Sequence, residues 1–242
     1  MVKRRKKIKW GRVIGFFIAA VVVVFLAVKG ITLLFGYMSH IEFGGNRNYI
    51  ATVVVDPGHG GWDNGCTNND LLEKDVNLRV SQEIAKVLEK NKIKAVLTRN
   101  EDSALADEKN KDLAARVKLS KDCNAMYFIS IHVNSYEGND EITGYEVYTK
   151  DADSEAMANS VINSLKAAGY ENSRGVYDGN LLYVLRRNTV KSILVEMGYM
   201  DSSDFDYINN DEKMKEFADG IADGIVTQIK TELGLNEVNT KQ

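Results

Sequence analysis

Proline is nearly missing from this chain of 242 residues: it occurs once, as Pro57. Internal repeats and low-complexity linkers are missing too, which excludes a solenoid or a string of small modules. There are only two cysteines, Cys66 and Cys123. Outside the cytoplasm they could form one disulfide; two small buried thiols account for them equally well. No G-x-G-x-x-G opens a helix, which argues against a dinucleotide-dependent oxidoreductase. The net charge is −3, with 27% charged residues, so a nucleic-acid-binding composition is absent as well. Histidine occurs three times, as His40, His59 and His132.

What charge there is falls unevenly. Lys3, Arg4, Arg5, Lys6, Lys7, Lys9 and Arg12 make residues 1–12 a basic flank. Without them the remainder is clearly acidic, which disfavours an anionic polymer such as DNA as partner. An uncharged run from Val13 to Val28 follows, and beyond Lys29 it continues from Gly30 to Tyr37. Residues 13–37 make 25 positions, and a helix needs about 20 to cross a bilayer core. Lys29, near one end, can snorkel to the interface. No persuasive A-x-A site follows, so an uncleaved transmembrane anchor is expected in preference to a cleaved signal and a secreted product. The positive-inside rule keeps the basic flank in the cytoplasm and places the remainder outside, at the cell membrane. Residues 38–49 read as a linker, 50–235 as one folded domain and 236–242 as a tail. His40, in the linker, has no expected chemical role.

Hydrophobic periodicity predicts an α/β domain: a layered, mostly parallel central sheet flanked by helices. Strands are expected at Ile50–Val55, Ala95–Thr98, Met126–Ile131, Gly144–Thr149, Leu181–Leu185 and Ser192–Glu196. A helix starting at Asn69 or Asp70 carries Val76, Val80, Ile84, Val87 and Leu88 on one face. Another is expected around Leu113–Lys121. A third is capped by Asp153 or Ser154, bears Met157, Val161, Leu165 and Ala168, and stops at Gly169. The last is capped by Asn210, buries Met214, Phe217, Ile221, Ile225 and Ile229, and ends at Gly234.

Two histidines follow short β-branched runs, His59 after Val53-Val54-Val55 and His132 after Ile129-Ser130-Ile131. Open α/β sheets bind ligands at the carboxyl ends of such strands, so two imidazoles there begin a metal site. Asp56, Asp63, Asp70 and Glu73 are candidates for a third ligand. Glu73 opens a helix, where an acidic residue is also favoured by the helix dipole alone, and spacing leaves both readings open. Gly58, Gly60, Gly61 and Gly65 crowd around His59 and permit close backbone approach. Cys66 is a poor ligand candidate, because harder ligands already fill a site. Glu196 ends another apolar run, where a carboxylate is costly unless paired or functional. It could take a proton from a metal-activated water and hand it to a leaving amine, or it could simply pair with Arg186 or Arg187. Those arginines could instead hold an anionic group of the substrate.

Four ordered blocks carry a resemblance: Asp56-Pro57-Gly58-His59-Gly60-Gly61, Glu73-Lys74-Asp75-Val76-Asn77-Leu78, Ser130-Ile131-His132-Val133-Asn134 and Leu194-Val195-Glu196-Met197-Gly198-Tyr199. Together they resemble the zinc-dependent N-acetylmuramoyl-L-alanine amidases, amidase type 3. Thr98-Arg99, Arg116 and Tyr183-Val184-Leu185-Arg186 match weaker blocks. The resemblance runs from about Thr52 to Leu233. It implies Zn2+ as cofactor, with His59, Glu73 and His132 as metal ligands and Glu196 as catalytic carboxylate. Asn134 and Arg186 are the expected substrate-binding residues. The implied partner is peptidoglycan, cleaved between N-acetylmuramic acid and L-alanine of the stem peptide. A membrane-anchored layout without wall-binding repeats is similar to amidases of sporulation and germination that trim spore cortex; it also suits vegetative wall turnover.

Three features depart from the family pattern. Lys191 or Ser192 stands where proline is usual before the catalytic glutamate. Tyr199, Met200, Asp201 and Ser202 replace the usual aromatic, apolar, small hydroxyl, asparagine. Only about a dozen residues, Val133 to Gly144, separate His132 from the next strand, too few for an inhibitory helical insertion. No activator protein that displaces such an insertion is therefore expected. Two other readings compete: an anchored peptidoglycan-binding domain without catalysis, which should have lost a ligand or Glu196, and a zinc carboxypeptidase acting on stem peptides.

Overall fold

The computed structural model describes Lys29 and residues 48–136 and 140–235. The expected basic flank, the anchor at 13–37 apart from Lys29, the linker up to Arg47 and the tail at 236–242 lie outside the described residues. Among the described residues no helix is long and apolar enough to cross a membrane. One compact unit begins at Asn48.

The strands are β1 (Ala51–Pro57), β2 (Thr67–Asn68), β3 (Leu71–Leu72), β4 (Ile93–Leu97), β5 (Tyr127–Asn134), β6 (Tyr145–Thr149), β7 (Ser173–Asp178) and β8 (Lys191–Tyr199). The helices are α1 (Glu73–Lys90), α2 (Lys109–Asp122), α3 (Ala152–Ala167), α4 (Tyr183–Arg186), α5 (Phe205–Ile208) and α6 (Asp211–Glu232). Six strands form the central sheet in the order β4-β1-β5-β8-β6-β7. The β6–β8 ladder is antiparallel and the others are parallel, so the sheet is mixed.

Strand alternation divides the core. Val53, Val55, Ile129, Ile131 and Val195 face α1, α3 and α6, whereas Val54, Phe128 and Leu194 face α2 and α4. Val76, Val80, Ile84 and Leu88 of α1 are all buried on the first face. Each such side chain stabilises the fold by about 1.5–3 kcal/mol. Helices α3 and α6 cross closely at Gly224, where an added Cβ would sit 2.6 Å from the Cα of Val161.

Several elements depart from the sequence reading, each for a local reason. Asn69 and Asp70 do not cap α1; Asn69, at φ +52°, turns the β2–β3 hairpin, and the helix starts at Glu73. Asn tolerates this left-handed conformation better than most side chains. Asp151, not Asp153 or Ser154, caps α3, accepting a hydrogen bond from the Ser154 amide. The apolar run Leu181–Leu185 is not a strand: Tyr183–Arg186 forms one helical turn, with Val184 and Leu185 buried and Leu181 exposed. So short an apolar run carries no period that separates strand from helix. Strand β7 and the short helix α5 have no counterpart in that reading; β7 is an edge strand interrupted by Gly175 at φ +100°. Cys66 and Cys123 are both free thiols.

Topology fixes where a site can form. The chain leaves β1 for β4 on one side, then returns to place β5 on the other. The crevice at the carboxyl ends of β1 and β5 is therefore the switch point, where open α/β sheets take ligands.

Candidate active site

His59 and His132 reach this crevice by different routes. His59 lies in the turn after β1, at φ +62°, a left-handed conformation that costs an ordinary residue about 1–2 kcal/mol. His132 lies within β5. Their rings are 5.0 Å apart, edge to face. Both imidazoles address one carboxylate oxygen: Oε1 of Glu73 is 3.1 Å from Nε2 of His59 and 3.0 Å from Nδ1 of His132. Ligand atoms of the three residues all lie within 4.8 Å of one another.

Glu73 is itself held by backbone. The Cys66 amide donates to its Oε2 at 2.8 Å and the Val133 amide to its Oε1 at 3.2 Å. Asn77, one helical turn on, adds its side-chain amide at 3.3 Å. Burial opposes ionisation of Glu73, yet hydrogen bonds and charge from His132 and His59 hold the carboxyl far below the usual range. Burial likewise disfavours a charged His59, but Glu73 and then Asp63 override it and raise its pKa. Asp63 Oδ1 stands 3.0 Å from Nδ1 of His59, at ion-pair distance but without hydrogen-bond alignment.

Two imidazole nitrogens and a carboxylate oxygen suit zinc, which commonly takes three protein ligands and leaves a fourth place open in catalytic sites. The surroundings fit that use. Added Cβ atoms at Gly58 and Gly65 would lie 2.2 Å from the His132 ring and 2.3 Å from the Glu73 carboxylate. The glycines thus leave the room in which the three groups converge. The Cys66 thiol is not among the three converging ligand atoms; it hydrogen-bonds the Val133 carbonyl at 3.3 Å, and burial followed by the Glu73 charge keeps it protonated.

Glu196 lies beside this cluster by register. It is the Cα partner of His132 on β5 and of Glu146 on β6, so the three share one row across the sheet. Its strand runs on to Tyr199, so Glu196 is interior to β8 and not at its end. Among the described residues its enclosed Oε2 has no hydrogen-bond partner, so no pairing with Arg186 or Arg187 satisfies that oxygen. Burial foremost, then the charges of Glu73 and Glu146, raise its pKa well above the ordinary value.

The remaining expected residues are placed differently. Asp70 is exposed in the hairpin turn. Asp56 is outside the ligand trio; it accepts hydrogen bonds from Thr98 at 2.6 Å, Ser130 at 2.8 Å and Arg116 at 2.9 Å. Asn134 turns its side-chain oxygen to the Ser135 amide at 2.8 Å. Arg186 is exposed at the end of α4. Asp201, at the departing position after Tyr199, ties two loops together by accepting from Ser135 Oγ at 3.2 Å and the Tyr136 amide at 3.0 Å.

The sequence reading passed over a group next to Glu196. Glu146, buried at 3% exposure, accepts from the Tyr148 and Tyr199 hydroxyls at 2.6 Å each, and from Arg174. An inward carboxylate in the alternating run Tyr145–Thr149 was its only sequence signal.

A layered α/β domain with a metal-type ligand trio at its switch point and a carboxylate in register beside it has the makings of a hydrolase. The family model described as N-acetylmuramoyl-L-alanine amidase matches residues 53–227, and the chain belongs to that family. It is a peptidoglycan amidase by that membership. Among its relatives, the uncharacterized protein YqiI of Bacillus subtilis is 34% identical over 179 residues, covering 72% of this chain and 82% of the relative. The germination-specific N-acetylmuramoyl-L-alanine amidase of the same organism is 28% identical over 216 residues, covering 82% and 84%. The solved structure of the amidase AmiC2 of Nostoc punctiforme superposes with TM-score 0.68 at 37% identity, over 76% of this chain and 98% of that one.

Proposed function

We propose that the protein hydrolyses the amide between the lactyl group of N-acetylmuramic acid and L-alanine of the stem peptide. His59, Glu73 and His132 would hold a zinc ion, and Glu196 would serve as general base and then general acid. The observation that supports this best is the three-donor cluster standing in register with Glu196, whose enclosed Oε2 has no hydrogen-bond partner among the described residues. When bound, zinc supplies Lewis acidity, lowering the pKa of a water from about 15.7 to near 7 and polarising the scissile carbonyl. Glu196 takes a proton from the attacking water and passes it to the departing L-alanine nitrogen. Glu73, fixed by two backbone amides, keeps the two ring nitrogens converging. Glu146, held by three donors, is fixed in place beside Glu196.

Residues 13–37 would anchor the domain outside the cytoplasm, with the short link after His132 leaving the cleft open without an activator. The likeness to a germination-specific amidase supports a spore-cortex role. A reporter fused after Gln242 should then be extracytoplasmic; a cytoplasmic one would rule the anchor out.

The test is digestion of purified peptidoglycan by the purified chain, with and without chelator, followed by mass analysis. Intact stem peptides freed from glycan are expected. Glu196→Gln should keep zinc and lose release by about 100-fold or more. Stem peptides still on glycan but shortened at the carboxyl end would identify a carboxypeptidase. No cleavage by zinc-loaded protein would identify a binding domain.

A further inference from the structure

Two arginines in the weaker matching blocks, Arg99 and Arg116, have no part in the reaction above, yet both are buried at 4% and 2% exposure. Their guanidinium groups converge on three successive carbonyls of the His59 turn. Arg99 donates from Nε to Pro57 O at 3.0 Å and from Nη2 to Gly58 O at 2.9 Å. Arg116 donates from Nη1 to Pro57 O at 2.8 Å and from Nη2 to His59 O at 2.6 Å. Carbonyls at the end of a strand and in the turn beyond it need such partners where they are buried.

Each group also connects to a segment that carries one of the other two ligands. The same Nη2 of Arg99 donates to the Lys74 carbonyl at 2.8 Å, next along the chain from Glu73. Arg116 pairs with Asp56 at 2.9 Å, and Asp56 accepts from Ser130 at 2.8 Å, two residues before His132 on the same face of β5. Asp112 holds the far side of Arg116 at 2.6 Å. A buried ion pair alone would be weak evidence of purpose. Here most of the donors end on the backbone that carries the ligands. Lysine, a single nitrogen without a planar fork, cannot span these acceptors.

We propose that Arg99 and Arg116 are positioning residues: a double guanidinium brace that sets metal affinity by fixing His59, in its left-handed conformation, against Glu73 and His132. The inference rests on the metal-site reading and adds residues that touch neither metal nor substrate.

The experiment measures zinc affinity by competition with a chelator, well below each variant's melting temperature. It compares the wild-type chain, Arg116→Lys, Arg99→Lys, Thr98→Val and Leu165→Ala. Leu165 is buried in α3, away from the brace, and controls for stability loss. Both lysine variants should bind zinc about 10- to 100-fold more weakly, as partners that orient ligands do elsewhere. Leu165→Ala should lower the melting temperature and leave zinc affinity unchanged. Thr98→Val, which removes one hydrogen bond to Asp56, should weaken zinc binding a few-fold and serves if a lysine variant does not fold. Wild-type affinity in the folded brace variants, or an equal loss in Leu165→Ala, overturns the brace while the metal reading stands. A wild-type chain that takes up no zinc overturns the metal reading and the brace with it.

Discussion

Gly58→Ala tests the site at its tightest point. A methyl group there would stand 2.2 Å from Cε1 of His132, 2.3 Å from its Nε2 and 2.6 Å from its Nδ1. Carbon contacts are comfortable at about 3.5–4.0 Å, so ring or turn must give way by roughly 1.3 Å. Two responses are open. The His132 ring can swing aside, which keeps the fold and loses one ligand. Alternatively the turn can move, which displaces His59. Overpacking of this kind costs about 1–3 kcal/mol, so the protein should still fold. The site is less tolerant, because constellations of this type hold to about 0.5 Å and a 1 Å misplacement can cost about 100-fold in rate. Zinc affinity should fall at least about 10- to 100-fold, and release of stem peptide about 100-fold, in a protein with a modest loss of melting temperature. Gly169→Ala is the control. It sits at φ +98° with nothing within 4 Å of an added Cβ, so it should lose stability and keep both zinc and turnover. The measurements are chelator competition, dye release from labelled peptidoglycan and a melting curve. Wild-type zinc affinity and turnover in Gly58→Ala would refute the placement of His132 against this turn.

Three further outcomes follow from the same geometry. Burial raises the pKa of Asp56, but Arg116, Thr98 and Ser130 outweigh it and leave the folded value below 3.8. The contribution of Asp56 is thus fully present above pH 3.8 and fades as pH falls through the folded value. Asp56→Asn should cost about 3–5 kcal/mol near neutrality by urea unfolding, and the gap from wild type should narrow only below pH 3.8; a constant gap would refute the assignment. Glu146→Gln removes one of the negative charges that hold the Glu196 pKa up, after burial itself. The acid limb of the kcat/KM profile should then move to lower pH, and a limb that stays or moves upward contradicts the coupling. Chelation should abolish hydrolysis and lower the melting temperature, with recovery on added zinc worth about 2.7 kcal/mol at a concentration 100 times Kd.

The larger elements were legible because their signals are long. The faces Val76–Val80–Ile84–Leu88 and Met214–Phe217–Ile221–Ile225–Ile229 repeat at helical spacing and are buried, while Val87, read on the first face, is half-buried. Asn210 could be read as a cap because its side chain has a local job, accepting from the Lys213 amide. Short elements were not legible. Leu181–Leu185 has the composition of a strand, and only its packing of Val184 and Leu185 under the sheet makes it helical. Within the site, His59 and His132 stood out by their place after β-branched runs. Glu73 could not be separated by spacing from Asp56, Asp63 or Asp70. What distinguishes it is the pair of amides from Cys66 and Val133, one of them 60 residues away, and no local pattern encodes that contact. Glu146 and Arg174 were missed for the same reason, since their pairing spans 28 residues across β6 and β7.

Sheet register explains why residues so far apart in sequence share one purpose. Asp56 pairs with Ser130, and Ser130 with Leu194, across β1, β5 and β8. Two residues further along β5 and β8 the next row on that face holds His132 and Glu196, with Glu146 completing it from β6. Gly58 lies one residue past the last β1 pair, Pro57 with Ile131, and its amide still bonds the Ile131 carbonyl at 3.0 Å. It therefore occupies the place beside His132 in the same row. A shift of one residue in the β5–β8 ladder would turn Glu196 into the apolar layer under α1 and α6 and leave His132 facing Val195 or Met197. The apolar alternation of Ile193, Val195 and Met197 opposes that shift, because it would take these buried side chains out of their core layer. Core packing and site geometry are thus one constraint, and substitutions that loosen this register should lose activity before they lose the fold.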